Sequence, residues 1–371
     1  MDIMSTQRKV LQGRGTMTAV SRRDVAERSG VSLTIVSQVL NNTPYARIKK
    51  ETREKVQRIS KELGYIQNVL GQALVGNRIF HIGVALTCND PAVDLRFQEI
   101  IRGIRAVAEA NNYYILSCPI FSRIDENMAD TLTNLIKSKR VDGLIINKED
   151  ILTAEIHKLA MADLPFVLLN STMRYERPER GQVSSVNFDY SCGMKETIKY
   201  LLKLGHRRIG LINSEHETFT ETHHRKYDTE RLEHYAQELA SRGVEYDPIL
   251  VGTGDFSRKE DIRHSIDVFI SISSPPTAIV TADDMIAMEV IKYLKECGQK
   301  IPQDISVVGS DNSYICEYLE PALTSLDLPL YEMGRQAAMT LIDEFSGSYR
   351  PDPIMILPTR LIVRNSCRVL N

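Results

Sequence analysis

The sequence predicts a small all-helical N-terminal module followed by a larger α/β body whose parallel sheets carry helices on both faces. Two observations carry this expectation. Residues 21–63 read as three short amphipathic helices, the first two joined by a glycine-containing turn. From Phe80 onward, apolar runs of strand length alternate with amphipathic stretches of helix length, the pattern of doubly wound parallel sheets. With 371 residues, 43% hydrophobic and 25% charged, the chain has material for two or three separate cores.

The helical module is legible residue by residue. Val25 and Ala26 give the first helix its apolar face, and Gly30 stands where a helix stops in the left-handed conformation. Val31 anchors the turn, and Ser32 is placed to cap the next helix. That helix turns Val36, Val39 and Leu40 inward and leaves Leu33, Thr34, Ser37, Gln38 and Asn41 on the outer face. A third helix, Glu51 to Leu63, closes the miniature core with Val56, Ile59 and Leu63. Two short helices at a tight turn, with a small polar outer face, make a helix-turn-helix, the motif that lays its second helix in the DNA major groove.

Charge agrees with a polyanion partner. Residues 1–80 hold 14 Lys and Arg against 6 Asp and Glu, while the whole chain stands at −2, so the remainder is near −10. No apolar run approaches the ~20 residues of a membrane span. The stretch MDIMSTQRKVLQGRGTMT lacks the apolar centre of a secretory signal, so a cytoplasmic protein is expected. The six cysteines are scattered without a CxxC pair, as in reduced thiols and unlike a zinc site. His216, His223 and His224 sit in a charged loop without metal-ligand spacing. Gly252-Thr-Gly254 lacks the third glycine of a dinucleotide fingerprint. There is no GxSxG elbow or Walker lysine either, so neither a cofactor nor a catalytic step is expected.

In the body, residues 81–86 read as a buried strand, 97–111 as a helix, 113–117 as a strand, 126–138 as a helix and 141–147 as a strand. The alternation continues through 156–161, 165–169, 195–204, 208–212, 232–241, 277–280, 286–297 and 305–308. Parallel sheets bind ligands beyond the carboxyl ends of their strands. Polar residues that follow apolar runs are therefore the binding candidates: Thr87, Asn147, Asn170, Asp283 and Asp311.

The strings DVAERSGVSLTIVSQVLNN, ETREKVQRISKELGYIQN and VLGQALVGNRIFHIGV, in that order, resemble the LacI/GalR family of bacterial transcription regulators. The likeness runs from about Met17 to Cys367. It implies a helix-turn-helix headpiece over 17–66, a hinge over 67–78, and a two-lobed body of the periplasmic-binding-protein type over 79–371. The family's chain crosses between lobes three times, which implies a first lobe of about 79–182 and 330–357 and a second of about 183–329 and 358–371. Residues 1–16 fall outside the pattern and are expected either to form a disordered basic extension or to precede a functional start at Met17.

By the same resemblance Leu33, Thr34 and Gln38 fall on base-reading positions, with Ser37 and Asn41 near the phosphates. Ser21, Arg22, Arg23 and Asn68 complete the implied DNA contacts, and hinge Leu74 matches a leucine that wedges into the minor groove. Gln38 stands where the family commonly has Arg, and Gln prefers the N6/N7 edge of adenine to guanine. The stretch 43–50 is longer than usual and offers Arg47, Lys49 and Lys50 to phosphates.

Asn147, Asn170 and Asp311 match effector contacts, Arg231 the effector arginine, and Phe256 the aromatic that stacks on the ligand, while Asp283 stands where Asn is usual. Carboxylates and amides hold vicinal hydroxyls, Arg grips a polar edge, and Phe covers an apolar ring face. That set suits a sugar or polyol, with a nucleoside as second choice. The expected whole is an effector-controlled repressor, a homodimer on a pseudo-palindromic operator, with helices near 97–111 and 285–297 at the dimer contact. Two other classes remain as alternatives. A transport protein on the same body is opposed by the basic headpiece, and an enzyme fused to a DNA-binding module by the lack of a catalytic constellation.

Overall fold

The structure, a computed structural model, describes residues 20–40, 48–65, 78–86, 95–118, 127–148, 151–214, 225–256, 258–347 and 353–370. The chain divides into two compact units, Met1–Ile79 and Phe80–Asn371.

The first unit is the headpiece: α1 (Arg22–Ser29), α2 (Leu33–Leu40) and α3 (Lys50–Glu62). Ser21 starts α1 with a capping box, its hydroxyl accepting from the Asp24 amide while the Asp24 carboxylate accepts from the Ser21 amide at 2.7 Å. Gly30 ends α1 at φ 67°, and the Ser32 hydroxyl accepts from the Ile35 amide at the start of α2. Val25, Ala26, Val36, Val39, Val56 and Ile59 are buried together, with Leu40 and Leu63 half-buried against them. So small a core leaves little stability to spare, and the caps at Ser21, Gly30 and Ser32 matter accordingly.

The second unit holds two sheets. The elements of the first lobe are β1 (His81–Ala85), α4 (Leu95–Ala110), β2 (Tyr114–Ser117), α5 (Met128–Lys137), β3 (Gly143–Asn147), α6 (Thr153–Met161) and β4 (Phe166–Leu169). A short hairpin of β5 (Glu176–Arg177) and β6 (Gly181–Gln182) leads into β7 (Ser184–Phe188). The second lobe carries α7 (Tyr190–Lys203), β8 (Ile209–Ser214), α8 (Arg225–Ser241), β9 (Val251–Gly254), α9 (Lys259–Ser271) and β10 (Ala278–Thr281). It continues with α10 (Asp284–Glu296), β11 (Ser306–Ser310) and β12 (Thr324–Asp327). The chain then returns through α11 (Leu330–Phe345) and β13 (Ile354–Leu357) to the first lobe, and ends in the second with β14 (Arg360–Ile362).

The sheet orders are β13-β7-β4-β3-β1-β2 and β14-β12-β11-β10-β8-β9. Within these two sheets all described pairs are parallel except β12 with β14. That exception follows from the path of the chain. Strand β12 runs out toward a crossing segment, whereas β14 enters from one, so neighbours meeting there must run opposite ways. Every side chain of β4 is fully buried, as expected of strands covered on both faces.

The crossings lie at Asp189, at residues 328–329 and at residues 358–359. The first differs from the expected 182/183, because Ser184–Phe188 pairs with β4 and β13 in the first sheet. The strand reads SSVNF, and its buried Ser185 and Asn187 satisfy one another, Asn187 Nδ2 donating to Ser185 Oγ and to the Met355 carbonyl. An apolar-run criterion passes over such a strand.

Helices α4 and α11 meet backbone to backbone. A Cβ on Gly103 would lie 1.9 Å from the Tyr331 carbonyl oxygen, and one on Gly334 2.1 Å from that of Ile100. Only glycine permits this approach, and Ile104, Val107, Met333 and Ala337 close the core around it.

Candidate functional site

On the headpiece, α2 presents Leu33, Thr34, Ser37 and Gln38 away from the core, and Leu33 is 51% exposed. Arg22 donates through Nε to the Tyr65 hydroxyl at 3.2 Å, tying α1 to the segment after α3. Exposed Arg23 pairs with Glu27 at 3.3 Å. Asn41, Asn68, Leu74 and, in the body, Thr87 lie outside the described residues.

In the body, strand order brings the remaining candidates side by side. Asn147 ends β3 and Asn170 follows β4, its neighbour in the sheet, and Asn170 Nδ2 donates to Asn147 Oδ1 at 3.1 Å. Asn170 holds φ 56°, a left-handed turn that Asn tolerates, and its Oδ1 is buried without a hydrogen-bond partner in the structure. This is an acceptor in want of a donor.

In the second lobe, Arg231 of α8 is 4% exposed. Its guanidinium donates to Asn213 Oδ1, to Ser214 Oγ at 3.2 Å and to the Tyr190 hydroxyl at 2.9 Å, and lies over the Tyr190 ring. It is thereby fixed at the carboxyl end of β8. Asp283 follows β10 and caps α10, accepting from the Ile286 amide at 2.7 Å. Asp311 follows β11 at φ 105°, where a non-glycine residue is strained, and backbone strain of this kind gathers at ligand sites. Burial pushes the Asp311 carboxyl well above its ordinary range; Arg96 opposes the shift, and Asp284 and Asp283 add to it. Phe256, after β9, is half-buried with the Lys259 ammonium 4.6 Å from its ring centre.

Several residues of this site escaped the sequence reading. Asp284, 1% exposed, accepts from Ser325 Oγ at 2.6 Å and from the Ser313 amide and hydroxyl at 2.7 and 2.8 Å, and so braces the turn that carries Asp311. Burial raises its pKa, and those same hydrogen bonds oppose the rise. Asn213 and Ser214 end the apolar run GLINS, so the rule that found Asn147 also reaches them. Arg96, the second residue of α4, crosses from the first lobe to Asp311 with Nε 2.7 Å from Oδ1. No spacing in the sequence marks it. Among the described residues no cluster of His, Cys, Asp and Glu could hold a metal, and no helix is long and apolar enough to cross a membrane.

A helix-turn-helix unit, together with a body that gathers amides, carboxylates and a buried guanidinium at the carboxyl ends of two parallel sheets, defines a DNA-binding regulator. Comparison with known proteins gives the family. Residues 23–68 match the bacterial regulatory proteins of the lacI family, and residues 198–367 match the periplasmic binding protein-like domain. The HTH-type transcriptional regulator DegA of Bacillus subtilis (strain 168) is 30% identical over 356 residues, covering 94% of this chain and 98% of that protein. The lac repressor dimer bound to operator and the anti-inducer ONPF superposes with a TM-score of 0.77 at 25% identity, covering 95% of this chain and 100% of that one. The regulator CelR in complex with cellobiose gives a TM-score of 0.64 at 26% identity, covering 94% and 99%. The chain belongs to the LacI family of bacterial transcription regulators, and it is a regulator and not an enzyme.

Proposed function

We propose that the protein is a repressor whose operator affinity is set by a sugar or polyol bound between the two strand-end rims of its body. The reading is carried by one arrangement: an unpartnered buried amide oxygen on Asn170, a buried carboxylate on Asp311 and a fixed guanidinium on Arg231, all at strand carboxyl ends. Acceptors of that kind accept hydrogen bonds from hydroxyls, and the guanidinium donates to a ring or hydroxyl oxygen. A similar regulator, CelR, whose structure is of a complex with cellobiose, supports the same ligand class.

Two copies acting on a two-fold operator complete the proposal, since one headpiece reads a single half-site. The outward face of α4 and the sheet-edge strand β2, where Tyr114 is 67% exposed, offer a surface for the second copy.

The test is a thermal-shift screen of the full chain with cellobiose, ribose, sorbitol and a set of nucleosides. A ligand at 100 times its Kd stabilises the native state by ~2.7 kcal/mol. A sugar or polyol shift that disappears in Arg231→Lys and Asn170→Asp is the expected result. No shift with any of them, or one that both variants retain, removes the proposal.

A further inference from the structure

We propose that Arg96 and Asp311 form a latch between the lobes, which holds the ligand-free body at one lobe angle and must be broken or exchanged when the crevice fills. The part that concerns the filled crevice rests on the effector reading given above; the latch itself does not. Arg96 stands at the start of α4, in the first lobe, and Asp311 stands after β11, in the second. Their Nε–Oδ1 distance of 2.7 Å is that of a charge-assisted hydrogen bond. Among the described residues the chain passes between the lobes at three short crossings, 189, 328–329 and 358–359. Segments as brief as these are where rotation between lobes is absorbed. A bond made at the strand ends, away from them, therefore acts directly on the lobe angle.

The receiving side is built to stay in place. The Asp311 amide donates to the Leu326 carbonyl at 2.8 Å, the Asn312 amide to Ser325 Oγ at 3.0 Å and the Ser313 amide to Asp284 at 2.7 Å. These bonds fix the turn in its left-handed conformation, so the Asp311 carboxylate does not follow a departing partner. The donating side differs, because the Arg96 side chain is 40% exposed while that of Asp311 is 7% exposed. When the pair opens, Arg96 gains water and Asp311 is left beside Asp283 and Asp284, whose charges act on it. A buried carboxylate without a partner is strongly unfavourable. The open state is thus populated when something else donates to Asp311, or when its carboxyl takes up a proton, the direction in which burial already pushes it. Adjacent hydroxyls of a polyol supply two donors in the place of the guanidinium, whereas a ligand that offers only acceptors leaves the latch closed.

The test measures lobe separation without any ligand. Spin labels on non-natural residues replacing Lys137 and Lys300, one in each lobe, are read by double electron–electron resonance in the full chain, with unlabelled chain in excess. The expected result is a single narrow distance for the parent and a broadened or displaced one for Arg96→Met, with unchanged circular dichroism. Arg96→Lys, which restores a cation, is expected to restore most of the narrow population. Arg96 is a half-exposed helix-start residue, so these variants fold. Identical distributions in the parent and Arg96→Met overturn the latch, as does a broadening that Arg96→Lys leaves uncorrected. A blank ligand screen beside a latch-dependent distance would defeat the effector reading alone.

Discussion

Alanine at Gly103 or Gly334 is expected to destabilise the body, although both glycines lie inside helices where alanine is normally favoured. The added Cβ meets the Tyr331 carbonyl oxygen at 1.9 Å or the Ile100 carbonyl oxygen at 2.1 Å. Both are about 1 Å or more inside van der Waals contact, and neither backbone atom can rotate aside. The helices must part instead. Overpacking of this sort costs ~1–3 kcal/mol, and a gap of ~0.5–1 Å forfeits a quarter to a half of each dispersion contact along the seam of Ile100, Ile104, Met333 and Ala337. Helix propensity returns ~1 kcal/mol. The net loss is ~3 kcal/mol, which in a body of this size lowers Tm by ~5 °C. Thermal and urea unfolding followed by circular dichroism measure it, with Ala106→Gly on the exposed face of α4 as the propensity control at ~1 kcal/mol. If Gly103→Ala melts at or above the parent, the close approach of α4 and α11 is wrong.

Gln38→Arg is expected to move the preferred base at its position from adenine to guanine, by ~1–3 kcal/mol of discrimination, as read by binding-site selection before and after the change; an unchanged preference means Gln38 does not touch that base. His206 is fully buried, with Nδ1 2.9 Å from Thr277 Oγ1 and Nε2 3.1 Å from the Arg368 carbonyl, and burial holds its pKa below the ordinary value. Its contribution to stability is therefore full above ~pH 6.5 and declines as pH falls from there toward the folded-state pKa, with a slope of at most ~1.4 kcal/mol per pH unit. Urea midpoints at pH 7.5 and 5.5 should differ less in His206→Gln than in the parent, and an equal difference removes this residue from the account. Asp284→Asn is expected to weaken any sugar or polyol stabilisation seen in the screen while leaving Arg231 in place, because the Asp311 turn loses its brace from Ser313 and Ser325; binding equal to the parent shows the turn holds without it.

The headpiece was almost wholly legible, because each of its features is set by neighbours in sequence. Ser21 and Asp24 cap α1 three residues apart, Gly30 needs only its own left-handed φ, and Val36 and Val39 declare a helix face by spacing alone. The body was legible where burial is uniform, as in HIGVA, GLIIN and FVLL. It was illegible where buried polar residues answer a partner far along the chain. Strand β7 hides behind Ser185 and Asn187, whose partner carbonyl is on Met355. The antiparallel turn of β14 depends on the direction in which a third crossing arrives, a property of the whole path and not of RLI.

The same division runs through the candidate site. The strand-end positions of Asn147, Asn170, Asp283 and Asp311 are legible because parallel sheets expose the residue after each strand, so local pattern and position coincide. What pattern could not supply is the electrical state of those residues. Asp283, Asp284 and Asp311 look interchangeable in TADD and GSD, yet the first caps a helix, the second is spent on three hydrogen bonds, and the third faces a cation from the other lobe. A carboxylate buried beside two others needs a cationic or hydrogen-bonding partner, or a proton. Arg96 meets that requirement from 215 residues away in sequence. Under the latch proposed above, the residue that sets Asp311 apart from Asp283 and Asp284 lies in the opposite lobe, and for that reason the lobe angle and the charge on Asp311 depend on each other.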